Sequence, residues 1–190
     1  MFGSKVKLKY KLRKDLKLDL GYVTLFRVEY IATGHLGGYI ESEKNLSQEG
    51  NAQVFCDAQV YGDARVYGNA QVSNNAQVFC DAQVYGDAQV SDNARVFGNA
   101  RVSGNAQVFG NARVENINEI INIVVAFKFS ITVTPDNIVI GCQLKSRSEW
   151  IKITSQDAEK RGLPPDMYPH YKKMVSAAMK LVPKRKKEIK

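Results

Sequence analysis

Residues 51–116 read NAQVFC, DAQVYG, DARVYG, NAQVSN, NAQVFC, DAQVYG, DAQVSD, NARVFG, NARVSG, NAQVFG and NARVEN, eleven gapless copies of one six-residue unit. A strict short period specifies a solenoid, in which each unit buries its apolar side only by stacking on its neighbours. Side chains alternate along a strand, so Ala and Val of each unit point one way. Gln or Arg and the following Phe, Tyr or Ser point the other. The Gly-Asn, Gly-Asp and Cys-Asp pairs between units are residues that tolerate positive φ, which predicts a corner every six residues. A short strand and a two-residue corner, repeated, close most simply as a triangular prism filled by Val, with small Ala near each corner.

This pattern resembles the left-handed parallel β-helix of the hexapeptide-repeat family, in which an aliphatic residue is followed four positions later by a small one. Val54 with Ala58 and Val60 with Ala64 are examples. The resemblance implies three units per coil, so the 66 residues make about 3.7 coils and a stem roughly 18 Å tall. Outward residues then sort onto three faces. The first carries Gln53, Gln71, Gln89 and Gln107, whose stacking suggests a hydrogen-bonded ladder. The second carries Tyr61, Phe79 and Phe97 beside Gln59, Gln77, Arg95 and Arg113. The third carries Tyr67 and Tyr85 with Arg65, Gln83 and Arg101. Such aromatic area is expected to be covered by another segment or a second subunit, or to bind a ligand. Tyr61, Phe79, Phe97, Tyr67, Tyr85, Arg65 and Arg101 are therefore candidate oligomer or packing residues, in a dimer or trimer.

The flanks divide the chain into a basic β cap (1–44), the stem (45–116), a β-hairpin (117–148) and a helical segment with a basic tail (149–190). The overall class is mainly β. Lys5–Leu12 alternates strictly, predicting a strand with Val6, Leu8, Tyr10 and Leu12 on one face and Lys5, Lys7, Lys9, Lys11 and Arg13 on the other. A turn around Lys14-Asp15 or Asp19–Gly21 leads to a second strand through Tyr22–Ile31. Residues 34–47 form an irregular first coil with Ile40 and Leu46 on the Ala phase, because an open solenoid end needs a cap. Beyond the stem, Phe127, Phe129, Ile131 and Val133 share one strand face, Thr134–Asn137 turns, and Ile138–Gln143 returns. Ser155 caps a short helix ending before Gly162. A longer helix, about Asp166–Val182, aligns Met167, Tyr171, Met174, Ala178 and Leu181 as a stripe expected to pack on the stem.

Net charge is +8. Met1–Tyr30 holds eight Lys/Arg against three Asp/Glu, Asn45–Asn116 four against seven, and Ile117–Lys190 fourteen against seven. The basic character thus belongs to the flanks, and Lys5, Lys7, Lys9, Lys11, Arg13, Lys184, Arg185, Lys186 and Lys187 are the candidate contacts to an anionic partner. Lysines on an edge strand also discourage aggregation. Cys56 and Cys80 fall at different corners, too far apart to bridge, and no Cys/His cluster has metal spacing. Free thiols with no signal peptide point to the cytoplasm of a bacterial host cell.

A narrower resemblance runs through Gly37–Ser47, Ile131–Cys142 and Trp150, which together look like bacterial, phage and prophage hexapeptide-repeat proteins classed as acyltransferases or polymer-forming proteins. The basic first strand and His35 depart from that group. Acyltransferases of the hexapeptide family bind acyl-coenzyme A and commonly use a His base. Here the two histidines, His35 and His170, both lie outside the repeats. The expectation is therefore a non-catalytic, phage-linked scaffold without cofactor. It would engage a nucleic acid, nucleoprotein or nucleotide, with inhibition of host defence as a candidate role. A coenzyme A-dependent acyltransferase is the alternative.

Overall fold

The structure is a computed structural model that describes residues 8–116, 119–123, 129, 131–141 and 143–184. Three strands come first: β1 (Tyr10–Asp19), β2 (Thr24–Tyr30) and β3 (Leu36–Ile40). Eleven two-residue strands follow, one per repeat unit, from β4 (Gln53–Val54) to β14 (Arg113–Val114). Each pairs in parallel with the strand three units away, as Gln53 with Gln71, Gln71 with Gln89 and Gln89 with Gln107. The pairing offset of 18 residues confirms three units per coil and makes a parallel β-solenoid of about four turns.

The alternation of the repeat decides what lies inside. Every Ala from Ala52 to Ala112 and every Val from Val54 to Val114 in the pattern is at most 1% exposed, and together they make one continuous core. Position six of the first ten units takes positive φ, whether it is glycine (Gly62, Gly68, Gly86, Gly98, Gly104, Gly110) or not (Cys56, Asn74, Cys80, Asp92). The expected Gln53–Gln107 ladder gives way to one at the corners. Asn51 donates to Asn69 (3.1 Å), Asn69 to Asp87 (2.9 Å) and Asn74 to Asp92 (3.0 Å). These short side chains reach the next rung directly, whereas the bond from Gln77 to Gln59 is stretched to 3.5 Å.

The first coil departs from the sequence reading. Ile40 pairs with Val60 and Leu46 with Val66, so both lie on the Val phase rather than the Ala phase. The offset there is 20 residues and returns to 18 at Gln53–Gln71. The two additional residues are accommodated in Ser47–Gly50, the corner that supplies Gln48. The amide of Gln48 accepts from the N–H groups of Lys9 (2.9 Å) and Tyr10 (3.3 Å) and donates to the Tyr10 carbonyl (3.1 Å). β1 and β2 are antiparallel with a bulge between Arg13 and Lys17, and the chain reverses at residues 20–23, nearer the Asp19–Gly21 position than the Lys14-Asp15 one. β3 pairs with β2 on one side and β5 (Gln59–Val60) on the other, so the cap and one stem face form a single seven-stranded sheet.

A solenoid end leaves backbone groups without a preceding rung, and each must find a partner. At the N-terminal end the Lys9 ammonium donates to the Ala52 carbonyl (2.9 Å), and the Asn45 amide donates to those of Gly62 and Ala64 (both 2.9 Å). Tyr39, Glu41 and Ser47 N–H groups serve Ala58, Val60 and Val66. At the other end Thr132 Oγ1 accepts from Gln107 N–H (3.2 Å) and the Asp136 carboxylate from Arg113 N–H (3.4 Å).

The C-terminal region is a four-stranded antiparallel sheet of β15 (Ile121–Ile123), β16 (Ile131–Val133), β17 (Asn137–Ile140) and β18 (Gln143–Ser146), in which β16 and β17 are the expected hairpin and β15 and β18 extend it on either side. The chain turns at Gly141 (φ 57°), so Gln143 belongs to the next strand. Phe127 and Cys142 lie outside the described residues. Helices α1 (Arg147–Lys152), α2 (Ser155–Glu159) and α3 (Tyr168–Leu181) follow. Thr154, not Ser155, caps α2, and α1 begins in a reciprocal Ser146–Glu149 capping box. The buried face of α3 is Tyr171, Val175 and Ala178, continued by Val182, and it packs on Ile131, Val133, Ile138 and Ile140 in a second core. The stripe therefore serves the C-terminal sheet rather than the stem, and Leu181 is 70% exposed.

Candidate functional site

The N-terminal basic stripe is largely committed within the fold. Lys5 and Lys7 lie outside the described residues. The Lys9 ammonium sits on first-coil carbonyls, and burial lowers its pKa. Lys11 pairs with Glu29 (2.9 Å), and Arg13 pairs with both Glu29 (2.9 Å) and Asp15. Hydrogen bonds from Lys11 and Arg13 hold the Glu29 carboxyl below its usual range, and Arg13 brings that of Asp15 down to about 2. The alternation that signalled a cationic row is silent about Glu29, which β2 sets opposite it, while Asp15 comes from β1 itself.

The basic C-terminal surface is different. Lys184 is exposed just beyond α3, while Arg185, Lys186 and Lys187 lie outside the described residues. The exposed face of α3 carries Lys172, Lys173 and Lys180, with Ser176 and Ala177 as a low floor between them. No Asp or Glu occurs from Tyr168 to Lys184. Among the described residues none of these four lysines has a carboxylate within 4.0 Å. Lys172 lies over the Tyr168 ring at 5.5 Å. Sequence reasoning read α3 for its buried side and missed this row, although the lysine spacing was visible.

The aromatic residues form ladders. Tyr61, Phe79 and Phe97 stack at 5.1 Å with planes within 5°. Tyr67 and Tyr85 stack at 4.9 Å. Each ring thus covers much of its neighbour. Tyr22, from the β1–β2 turn, leans on Tyr61 and donates to its hydroxyl (3.3 Å), and burial followed by this bond raises the Tyr61 pKa. The Arg95 guanidinium lies 5.3 Å from the Phe79 centroid and 5.9 Å from that of Phe97, while Arg113 lies 5.5 Å from Phe97. On the third face Arg65 and Arg101 are exposed beside the tyrosines.

His35 lines a cleft of about 670 Å³ between the β2–β3 turn and the first coil, with Lys9, Tyr30, Gln53, Phe55 and Cys56. His170 is on α3, so the two histidines do not meet. Cys56 and Cys80 are free and exposed. Among the described residues no group of three or more His, Cys, Asp or Glu could hold a metal ion, and no helix is long and apolar enough to cross a membrane.

Comparison with known families agrees with this geometry. The family model of the YdcK β-solenoid repeat matches residues 58–74, 88–104 and 94–108, all within the stem. The fold is a β-solenoid of short repeats. No curated protein matches the chain.

Proposed function

We propose that the protein is a non-catalytic binding scaffold whose stem holds a cationic surface, the exposed side of α3, against an extended polyanion of the nucleic-acid backbone class. The observation that carries this reading is the contrast between the two basic flanks. Lys9, Lys11 and Arg13 already have oxygen partners, whereas Lys172, Lys173, Lys180 and Lys184 have no carboxylate partner among the described residues. Lys172 to Lys180 spans about 12 Å of helix, a spread that suits a chain of phosphates better than a single nucleotide. Ser176 and Ala177 between them let such a chain approach the helix closely. The acyl-transfer alternative would draw on the cleft at His35, yet the Lys9 ammonium and Tyr30 hydroxyl there are bonded to the first coil.

The test is fluorescence anisotropy with a labelled DNA single strand across a salt series. The association constant should fall steeply with salt, with a log–log slope of roughly −0.7 for each phosphate that a lysine neutralises. Combining Lys172→Gln, Lys173→Gln and Lys180→Gln should weaken binding more than about tenfold and flatten that slope. Lys11→Gln with Arg13→Gln should leave it unchanged. Equal binding by the α3 variant overturns the proposal.

A further inference from the structure

A separate surface, the outer side of the seven-stranded sheet, points to a second partner. Its stem portion carries two columns, Gln59–Gln77–Arg95–Arg113 and Tyr61–Phe79–Phe97, the latter extended by Tyr22, which is 74% exposed. Arg95 lies over two rings, 5.3 Å and 5.9 Å from their centroids, and has no carboxylate within 4.0 Å among the described residues. Acidic side chains lie at the other end of the same face. Asp57 and Asp63 flank β5, and Asp81 follows the next strand of this face; all three are exposed, Asp57 pairing with Arg27 (3.2 Å) and Asp63 with Lys44 (3.0 Å) across surfaces open to a second cation.

This asymmetry runs along the whole stem axis. Residues 41–92 hold eight Asp/Glu against two Lys/Arg, whereas 93–114 hold three Arg and no acid. The stem is therefore acidic in its early coils and basic in its late ones. We propose that two copies of this chain pair side by side and antiparallel through this face, with the two-fold axis crossing near the Phe79 rung.

In that arrangement Arg95 of each copy faces the Gln59 rung of the other, between Asp57 and Asp63, and the ring ladders cover each other. A parallel arrangement would set arginine rungs beside arginine rungs and acids beside acids, which electrostatic complementarity disfavours. The contact is isologous, the same patch serving both copies, and so closes as a dimer. Lys11 and Arg13, cations of the adjoining β1, are paired with Glu29 and Asp15 and add little repulsion, while Arg27 and Lys44 would share Asp57 and Asp63 with the incoming Arg95. Five strands from β3 to β14 at roughly 4.8 Å make a short patch, so the dimer is of the weak, salt-sensitive kind.

The experiment measures the mass of the full chain by light scattering over a wide concentration range at low and high salt. A two-chain mass is expected at high concentration and low salt. Arg95→Glu should raise the dimer dissociation constant roughly tenfold or more with an unchanged thermal melt. Orientation is read in a Cys56→Ser, Cys80→Ser background with a short bis-maleimide. Asn75→Cys, close to the axis, should cross-link to its own counterpart, and Asn111→Cys, at the end of the face, should not. A one-chain mass at every concentration, a three-chain mass, a dimer indifferent to Arg95→Glu, or cross-linking at Asn111→Cys equal to that at Asn75→Cys overturns the proposal.

Discussion

The hydroxyl of Tyr30 accepts from the N–H of Val54 at 2.8 Å and donates to the carbonyl of the same residue at 3.1 Å, taking the place of an entire missing rung. Val54 is the first core valine of the repeat, and its strand β4 is the end strand of its sheet. Tyr30→Phe keeps the ring and strands both groups. The expected loss is about 1–3 kcal/mol, read as a lower urea midpoint with unchanged slope.

The same phenol makes stability depend on alkaline pH. Burial pushes its pKa from about 10 up to about 12, partly offset by the bond to Val54. The unfolded chain therefore loses this proton first. The stabilisation is complete below about pH 10 and disappears as pH rises toward 12. Urea midpoints measured from pH 9 to 12 should fall more steeply for the native chain than for Tyr30→Phe. Parallel curves would contradict this.

Corner columns should differ in what they tolerate. Gly86 has φ +69°, and a Cβ there would lie 2.9 Å from the Gly104 nitrogen. Gly86→Ala should cost about 1–2 kcal/mol. Cys80 already carries a side chain at φ 60°, so Cys80→Ala should be near neutral. Thermal melts of the two variants decide between these outcomes.

The stem core has no spare volume at its alanines. Ala82 is fully buried between rungs. Ala82→Leu forces the coils apart and should cost about 1–3 kcal/mol or more, seen as a lower denaturation midpoint.

Arg147 is buried and donates to the carbonyls of Met179 and Val182 (both 2.6 Å), closing the end of α3. Lysine cannot reach both in a planar fork. Arg147→Lys should speed amide exchange in α3 and the C-terminal sheet while leaving stem amides protected. Equal acceleration in the stem would show that the two cores unfold as one.

The stem was legible because everything it needs lies within six residues: inward Val, inward Ala, and a corner that accepts positive φ. The offset of Ile40 and Leu46 was not, because Ser47–Gly50 carries no mark of being two residues longer than later corners. The fate of the cationic stripe was hidden for a related reason. The partners of Lys9 and Arg13 come from distant rungs and a neighbouring strand, and alternation in one strand says nothing of its neighbour. On α3, periodicity identified the buried side but not what it packs against, since an apolar stripe fits a sheet or a solenoid equally well. For the lysines opposite, the structure was needed to show that no carboxylate of the described residues lies within 4.0 Å.

The end contacts of Lys9, Tyr30, Asn45, Thr132 and Asp136 engage the first and last coils and leave the middle ones alone. Length is consequently a free variable of this architecture. Excising 18 residues such as 75–92 would remove one coil, keep every corner in phase, and bring the basic helix closer to the N-terminal cap by roughly 4.8 Å. The stem is in this sense a ruler graduated in coils, and its eleven units set the distance between what each end can hold.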